Sequence, residues 1–214
     1  MPGQWLITEG AAPAPLPAPA TPPAWLVGDE RDLLEKQAAD FVELGLRSDK
    51  AVSVALREMA GDRRIENVQL ALRCLAQIGE YDDFMPLLRD PTQRYSTWER
   101  YVLMLVDALD YGPDYAMKVR DALVKQHGPT GDALYRILWG YSDEQLKSGS
   151  AQFLVETLDH ADLEYRIFAI WTLCDITGQP TGGYQPQDTQ PKRKAVILKW
   201  EQKLKDGLIA HKKA

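Results

Sequence analysis

The segment from His160 to Gly178 reads HADLEYRIFAIWTLCDITG, and its apolar residues continue almost without a break from Ile167 to Leu173. A helix that is apolar on nearly every side must be covered on nearly every side. Asp162 is placed to accept backbone N–H bonds as an N-cap, and Gly178 can close the helix in the left-handed conformation. The sequence therefore predicts a central helix in the C-terminal half, sandwiched between other helices and without a pocket of its own to line.

The composition is that of a globular protein able to build its core from apolar side chains alone. Of its 214 residues, 45% are hydrophobic, enough for one core or for a row of stacked helix pairs that share one. Cys74 and Cys174 each lie in an apolar helical pattern without a second cysteine nearby, which argues against a CxxC redox motif and a zinc site. Both are interpreted as small buried side chains, and spacing alone leaves a disulfide between them open. No metal and no cofactor is predicted.

Charge divides the chain into an acidic body and a basic end. The formal net charge of −6 and the pI near 5.2 argue against wholesale binding to nucleic acid or to an anionic membrane. Residues 191–214 carry eight basic and two acidic side chains, a net of +6, so the preceding residues carry −12. This contrast is the strongest electrostatic feature of the sequence.

Membrane insertion and secretion are not predicted. No segment approaches the about 20 consecutive apolar residues that a transmembrane helix needs. The N-terminus lacks a basic segment followed by an apolar core, so no secretory signal is recognised in the residues given. We therefore predict a cytoplasmic protein, with the reservation that the chain can be part of a longer one.

The first 24 residues are predicted to be a flexible Pro/Ala-rich arm or linker, followed by a helical-repeat domain over residues 25–214. Trp5 to Ile7 form a short apolar run that can become a strand or an adhesive arm. Residues 10–23 read GAAPAPLPAPATPP, a composition that favours extended polyproline II and offers a core nothing to bury. The same segment contains PxxP-like spacings, so a proline-rich ligand for a recognition domain is the alternative to a plain linker.

From Trp25 onward, helical patterns follow one another with short breaks and no convincing strand. The predicted helical segments are Asp29–Leu46, Ser48–Ala60, Arg63–Gly79, a short one from Asp82, Trp98–Asp110, Asp114–Gln126, one around Leu134–Tyr141, one capped by Ser142 or Asp143 and running to Leu158, the central segment, and one from Pro191. Antiparallel pairs recur at intervals of roughly thirty to fifty residues, which is typical of an α-solenoid. We predict an all-α fold of stacked antiparallel helix pairs forming a short α-solenoid.

The central segment resembles a HEAT or armadillo-type repeat, most closely over residues 159–178. In such repeats an Asp near the turn is followed by an Arg early in the next helix, then by Ala and Leu at helical spacing and by Ile or Leu before Gly. The matching residues are Asp162, Arg166, Ala169, Leu173 and Ile176-Thr177-Gly178. The segment from Glu66 to Gly79 matches less fully, because Leu70 takes the place of the Arg. The resemblance implies a HEAT-like scaffold that holds protein segments and is not an enzyme.

No catalytic site is predicted. His127, His160 and His211 are far apart in the sequence and stand at apparent helix ends or in the tail, where the helix dipole explains a histidine. No GxSxG elbow suggests a nucleophile beside them. The loop Gln179–Gln190 lacks the preceding strand and the Lys-Ser/Thr pair of a phosphate loop. We interpret it as an ordered surface loop with Tyr184 folded back against the helices as an anchor.

Two surfaces are predicted to meet a partner. Tyr135 and Trp139 lie four residues apart on a side of their helix away from Leu134 and Leu138, so an exposed aromatic face is one candidate. The second candidate is the basic end, with Lys192, Arg193, Lys194, Lys199 and Lys203. Binding of a protein partner is the predicted function, and a nucleic-acid-associated protein that uses the basic helix is the alternative. The simplest explanation of the basic residues is a solvated helix face.

Overall fold

A computed structural model of the chain describes residues 5–6, 14–15 and 32–212. The chain divides into two compact units, Met1–Gln37 and Ala38–Ala214. In the first unit, strand β1 (Trp5–Leu6) pairs antiparallel with strand β2 (Ala14–Pro15). The apolar run thus contributes a strand whose partner comes from the segment expected to be polyproline II. The rest of the predicted arm, and the domain boundary at residues 24 and 25, lie outside the described residues.

Eleven α-helices lie within residues 32–212, and the all-α class is confirmed across this range. They are α1 (Leu33–Leu46), α2 (Val52–Ala60), α3 (Ile65–Gln77), α4 (Phe84–Leu88), α5 (Tyr95–Asp110), α6 (Pro113–His127), α7 (Gly131–Trp139), α8 (Asp143–Gln145), α9 (Ala151–Thr157), α10 (Leu163–Thr177) and α11 (Gln190–Lys205). A 3₁₀ turn, Gly128–Thr130, leads into α7, and a π-helical stretch, Leu146–Ser150, joins α8 to α9.

One row of helices runs through the second unit. Helices α3, α5, α7 and α10 contact one another in that order, and two further pairs, α4 with α6 and α9 with α11, contact each other beside it. Helices adjacent in the chain also pair, as α2 with α3, α5 with α6, α6 with α7 and α9 with α10. Helix α10 in addition contacts α4 and α5, which belong to earlier pairs. Helix α10 therefore packs against helices that come much earlier in the sequence.

Helix α10 is the segment predicted to be central, and its burial confirms that position. Eleven of its fifteen residues are buried, and Phe168 is fully covered. Arg166 is also buried, because its guanidinium donates to the carbonyl oxygens of His160, Ala161 and Pro186 at 2.5, 2.6 and 2.8 Å. Three acceptors offset the cost of removing the charge from water. Helix α10 thereby holds both the core and the loop that follows it.

The two ends of α10 lie where the sequence places them, but only one uses the predicted chemistry. Gly178 ends the helix in the left-handed conformation, with φ of 62°. Asp162 occupies the N-cap position, yet its side chain makes no capping bond. Its backbone N–H instead donates to Nδ1 of His160 at 3.0 Å. Helix α2 likewise begins after Ala51, and the predicted cap Ser48 lies three residues too early.

Candidate functional site

Helix α7 places Tyr135 and Trp139 on the side away from its buried residues, but only Trp139 is exposed. Leu134, Ile137 and Leu138 are buried on one side of the helix, so Tyr135 and Trp139, four residues apart, share the other side. Their ring centroids are 5.9 Å apart and the ring planes are inclined at 46°. Trp139 is 58% exposed, whereas Tyr135 is half-buried. The indole of Trp139 is therefore the more accessible of the two rings.

Both aromatic residues line a cleft of about 790 Å³ between α7 and α10, which we call the aromatic cleft. Its lining residues are Val106, Tyr135, Arg136, Leu138, Trp139, Gly140, Tyr141, Ser142, Gln145, Trp171, Thr172, Asp175, Ile176 and His211. Trp171 is only half-buried, so the prediction that the segment around it lines no pocket is wrong. The physical reason is that this side of α10 also carries the charged Asp175, one turn from Trp171, which remains exposed to water although the residues around it are apolar.

A hydrogen bond and a capping box fix the walls of the cleft. The hydroxyl of Thr172 donates to the carbonyl oxygen of Ile137 at 3.2 Å, which ties α10 to the buried side of α7. Ser142 caps α8, as predicted, in a capping box with Gln145. These intramolecular contacts fix the positions of both walls, so the cleft is formed by the fold itself.

Arg136 is a lining residue whose charge is used inside the protein. Its guanidinium lies 4.2 Å from the ring centroid of Tyr141, donates to the carbonyl oxygen of Gly140, and donates to the side-chain oxygen of Gln145 at 3.0 Å. A guanidinium in this position joins the C-terminal end of α7 to the start of α8. Arg136 therefore stiffens the cleft and is not free to meet a partner's acidic group.

The residues after α11 close one side of the cleft. Nε2 of His211 donates to the carbonyl oxygen of Tyr141 at 2.7 Å, and the backbone N–H of His211 donates to Oδ1 of Asp143 at 3.2 Å. The next N–H, that of Lys212, donates to the carbonyl oxygen of Ile176 at 3.0 Å. The C-terminal segment thus crosses from α8 to the end of α10. His211 therefore contributes to the aromatic cleft, whereas His127 and His160 are not among its lining residues.

Asp175 is the one carboxylate among the lining residues. It is exposed, and it lies one helical turn from Trp171 on the same side of α10. Within residues 32–212 its side chain makes no hydrogen bond and no ion pair. The aromatic cleft therefore combines an accessible indole with a carboxylate that has no partner of its own.

The basic residues of α11 do not act as one group. Lys192, Lys194 and Lys199 are exposed. Arg193 pairs with Asp159 at 2.8 Å and donates to the carbonyl oxygen of Asp188 at 2.6 Å. Nζ of Lys203 lies 3.9 Å from the ring centroid of Trp200. Two of the five predicted cations thus have intramolecular partners, and three face solvent.

His127 belongs to a buried cluster that the sequence did not indicate. Its side chain is 6% exposed, Nε2 lies 3.7 Å from Oε1 of the buried Glu164, and Arg89 forms an ion pair with the same carboxylate. Arg89 also contacts Nδ1 of His127 at 3.3 Å; since a guanidinium only donates, Nδ1 accepts and Nε2 carries the proton. Burial lowers the pKa of His127, opposed by the charge of Glu164 and assisted by that of Arg89.

The loop between α10 and α11 has the predicted anchor. Tyr184 is fully buried and its hydroxyl donates to the carbonyl oxygen of Leu158. Burial raises the pKa of this phenol, which keeps it a neutral donor. Cys74 and Cys174 are both free, which excludes the disulfide left open by the sequence, and both are half-buried.

Sequence reasoning found Tyr135 and Trp139 but missed the other polar and aromatic groups of the cleft. Trp171 and Asp175 carry a recognisable sign, since they are four residues apart in a helix whose remaining sides are apolar. No sequence pattern indicates the contribution of His211, because it depends on the C-terminal segment packing against Tyr141 in the folded chain.

Comparison of the chain with protein-family models, with curated proteins and with solved structures finds no match. Across the part of the chain that the structure describes, no helix combines the length and the apolar character needed to cross a membrane.

Proposed function

We propose that the protein is a non-enzymatic helical-repeat scaffold that holds a segment of a partner protein in the aromatic cleft. The observation that carries this proposal is the accessible Trp139, set beside Tyr135 in a preformed cleft. Tryptophan and tyrosine are enriched among the residues that supply most binding free energy at interfaces.

The order of the helices supports the scaffold part of the proposal. The row formed by α3, α5, α7 and α10 is what stacked repeats produce, since each repeat contacts its neighbours. The contacts of α10 with α4 and α5 depart from a strictly linear stack. We propose a short HEAT-like solenoid whose last pair turns back on earlier pairs, which gives α10 support from several helices and keeps the wall of the cleft rigid.

The polar groups of the cleft support a binding role over a catalytic one. General acid–base and nucleophilic catalysis require a nucleophile or acid within hydrogen-bond reach of a partner that adjusts its protonation. Here Nε2 of His211 donates to a backbone carbonyl, and Arg136 is held by Gly140, Tyr141 and Gln145. Asp175 is left without such a partner.

The proposal is tested by selecting binders from a displayed library of random twelve-residue peptides on the full chain. We expect Trp139→Ala to weaken the selected peptides at least about 30-fold, because loss of a hot-spot residue costs about 2 kcal/mol or more. Leu198→Ala is the matched control, since Leu198 is 55% exposed but lies on α11. Fluorescence titration measures both affinities.

Two outcomes would overturn the proposal. Either no peptide is selected, or peptides bind Trp139→Ala as tightly as the unmodified chain. Because Trp139 is exposed, its removal should leave the unfolding transition in place, so circular dichroism separates lost binding from lost structure.

A further inference from the structure

The charged groups of the aromatic cleft differ in what they can offer a partner. Arg136 keeps its positive charge, but two of its N–H groups donate to Gly140 and Gln145 and its guanidinium lies over the ring of Tyr141. Asp175 is exposed and has no hydrogen bond or ion pair among residues 32–212. The carboxylate of Asp175 is therefore the charged group of the cleft lining that is left to meet a partner.

The aromatic groups of the cleft favour the same sign of ligand. The face of an indole attracts a cation through its quadrupole, and tryptophan does so more strongly than tyrosine or phenylalanine. Arg136 over Tyr141 and Lys203 over Trp200 are two such contacts already made within this chain. Trp139 is a further indole, but it is 58% exposed and no cation is recorded over its ring in the described part of the chain.

The charge of the whole chain acts in the same direction at longer range. The residues before position 191 carry a net of −12, as counted from a total of −6 and a basic end of +6. Such a field accelerates the approach of positive groups and repels acidic segments and nucleic acid. A partner of negative charge would meet both this field and the unpaired carboxylate of Asp175.

From these observations we infer that the bound segment presents an arginine or lysine side chain to the cleft, over the indole of Trp139 and opposite the carboxylate of Asp175. The inference rests on the proposed function and names the chemistry of its partner. The aliphatic part of either side chain can lie against the apolar lining while the charged end meets the carboxylate. Arginine suits the site well, because its flat guanidinium stacks on an aromatic face while donating to a carboxylate.

The same library selection tests the inference. Peptides selected on the unmodified chain, and depleted by a prior pass over Trp139→Ala, should be enriched in arginine or lysine at one position. Selection of peptides without this enrichment would overturn the inference and leave the proposed function standing. Selection of no peptide would overturn both.

The pairing is then measured with the most enriched peptide and two isosteric changes. Replacing its arginine by citrulline, or lysine by norleucine, removes the charge and should weaken binding about tenfold, the combined size of a cation–π contact and a partly desolvated ion pair. Asp175→Asn removes the ion pair but not the cation–π contact, so it should weaken the charged peptide by a smaller factor, about threefold, and leave the neutral peptide unchanged. Glu144→Gln is the control, since it removes one nearby negative charge from outside the cleft lining.

The double change separates a direct contact from a general charge effect. If the cation meets Asp175, the loss from both changes together is close to that from the peptide change alone, because Asp175→Asn then removes nothing further. Equal weakening by Asp175→Asn and Glu144→Gln would show that only the overall field acts, and would overturn the inference. Binding of the neutral and charged peptides with equal affinity would overturn it as well.

Discussion

Helices α10 and α11 are nearly equal in length, fifteen and sixteen residues, and they differ in what their side chains do. Helix α10 is buried over eleven residues, including the charged Glu164 and Arg166. Helix α11 buries only Ile197 and Trp200 and turns most of its charges to solvent. The contrast shows that a charge in this fold is buried where the backbone or another side chain compensates it. On α10 the half-buried Trp171 and the exposed Asp175 line the aromatic cleft.

The largest difference between the two helices should appear on removal of an apolar side chain. Phe168→Ala leaves a cavity at a fully buried position of α10 and should lower the free energy of unfolding by about 3–5 kcal/mol. Leu198→Ala on α11 removes a side chain that is 55% exposed and should change it by less than about 0.5 kcal/mol. Urea denaturation measures both, and similar losses would contradict the distinction drawn between the helices.

The burial of α10 was predictable from the sequence, whereas the partial exposure of Trp171 was not. The apolar run from Ile167 to Leu173 leaves hardly any side of a helix suited to water, so its central position follows from composition alone. Whether Trp171 is covered depends on how the neighbouring helices pack against α10, and the structure leaves it half-buried beside the exposed Asp175. Helix periodicity indicates which sides are apolar but contains no information on how closely other helices approach them.

The polar contacts of α10 were beyond sequence reasoning for a different reason. Asp162 and Arg166 lie at the start of α10, but the predicted capping bond of Asp162 is absent, and the backbone acceptors of Arg166 include Pro186, twenty residues further along. His127 meets Glu164 because the C-terminal end of α6 lies beside the N-terminal end of α10. Contacts of this kind depend on tertiary packing, and neither a loop backbone nor a single histidine has a repeating pattern from which they can be inferred.

A second pair of changes compares two arginines, one on each helix. Arg166→Met leaves three carbonyl oxygens without their donor and should cost about 3 kcal/mol, the upper end of the range for hydrogen bonds to charged groups. Arg193→Met breaks an ion pair with the partly exposed Asp159 and one bond to the carbonyl oxygen of Asp188, and should cost about 1.5 kcal/mol. Thermal unfolding gives the order of the two variants. Faster proteolysis of the loop around Pro186 in Arg166→Met would locate the loss, and a larger effect of Arg193→Met would reverse the comparison.

His127, the last residue of α6, contacts Glu164 at the N-terminal end of α10 and should make the stability of this end depend on pH. Burial lowers the pKa of His127 in the folded chain below its ordinary value of about 6.5. The unfolded chain therefore takes up a proton first as pH falls, and stability declines from about pH 7 downward until the folded state is protonated as well. His127→Gln should have a shallower decline over this range and the same pH dependence above it. Urea denaturation at several pH values measures the free energy of unfolding. If it falls below pH 7 as steeply in His127→Gln as in the unmodified chain, protonation of His127 is not the cause of the decline.

The smallest effect is expected from the solvent-facing lysines of α11, and it decides whether the alternative function survives. Lys192, Lys194 and Lys199 have exposed side chains, so changing all three to Gln should leave the unfolding midpoint where it was.

Nucleic-acid binding requires many phosphate contacts, and each contact steepens the fall of affinity with salt by about 0.9 in logarithmic slope. With only three exposed cations of the five candidates on an acidic protein, we expect the chain to leave a heparin column below about 0.15 M salt, the physiological level. Retention well above that concentration, lost in the triple variant, would make α11 the binding helix and assign the nucleic-acid-associated role to the exposed helix in place of the aromatic cleft.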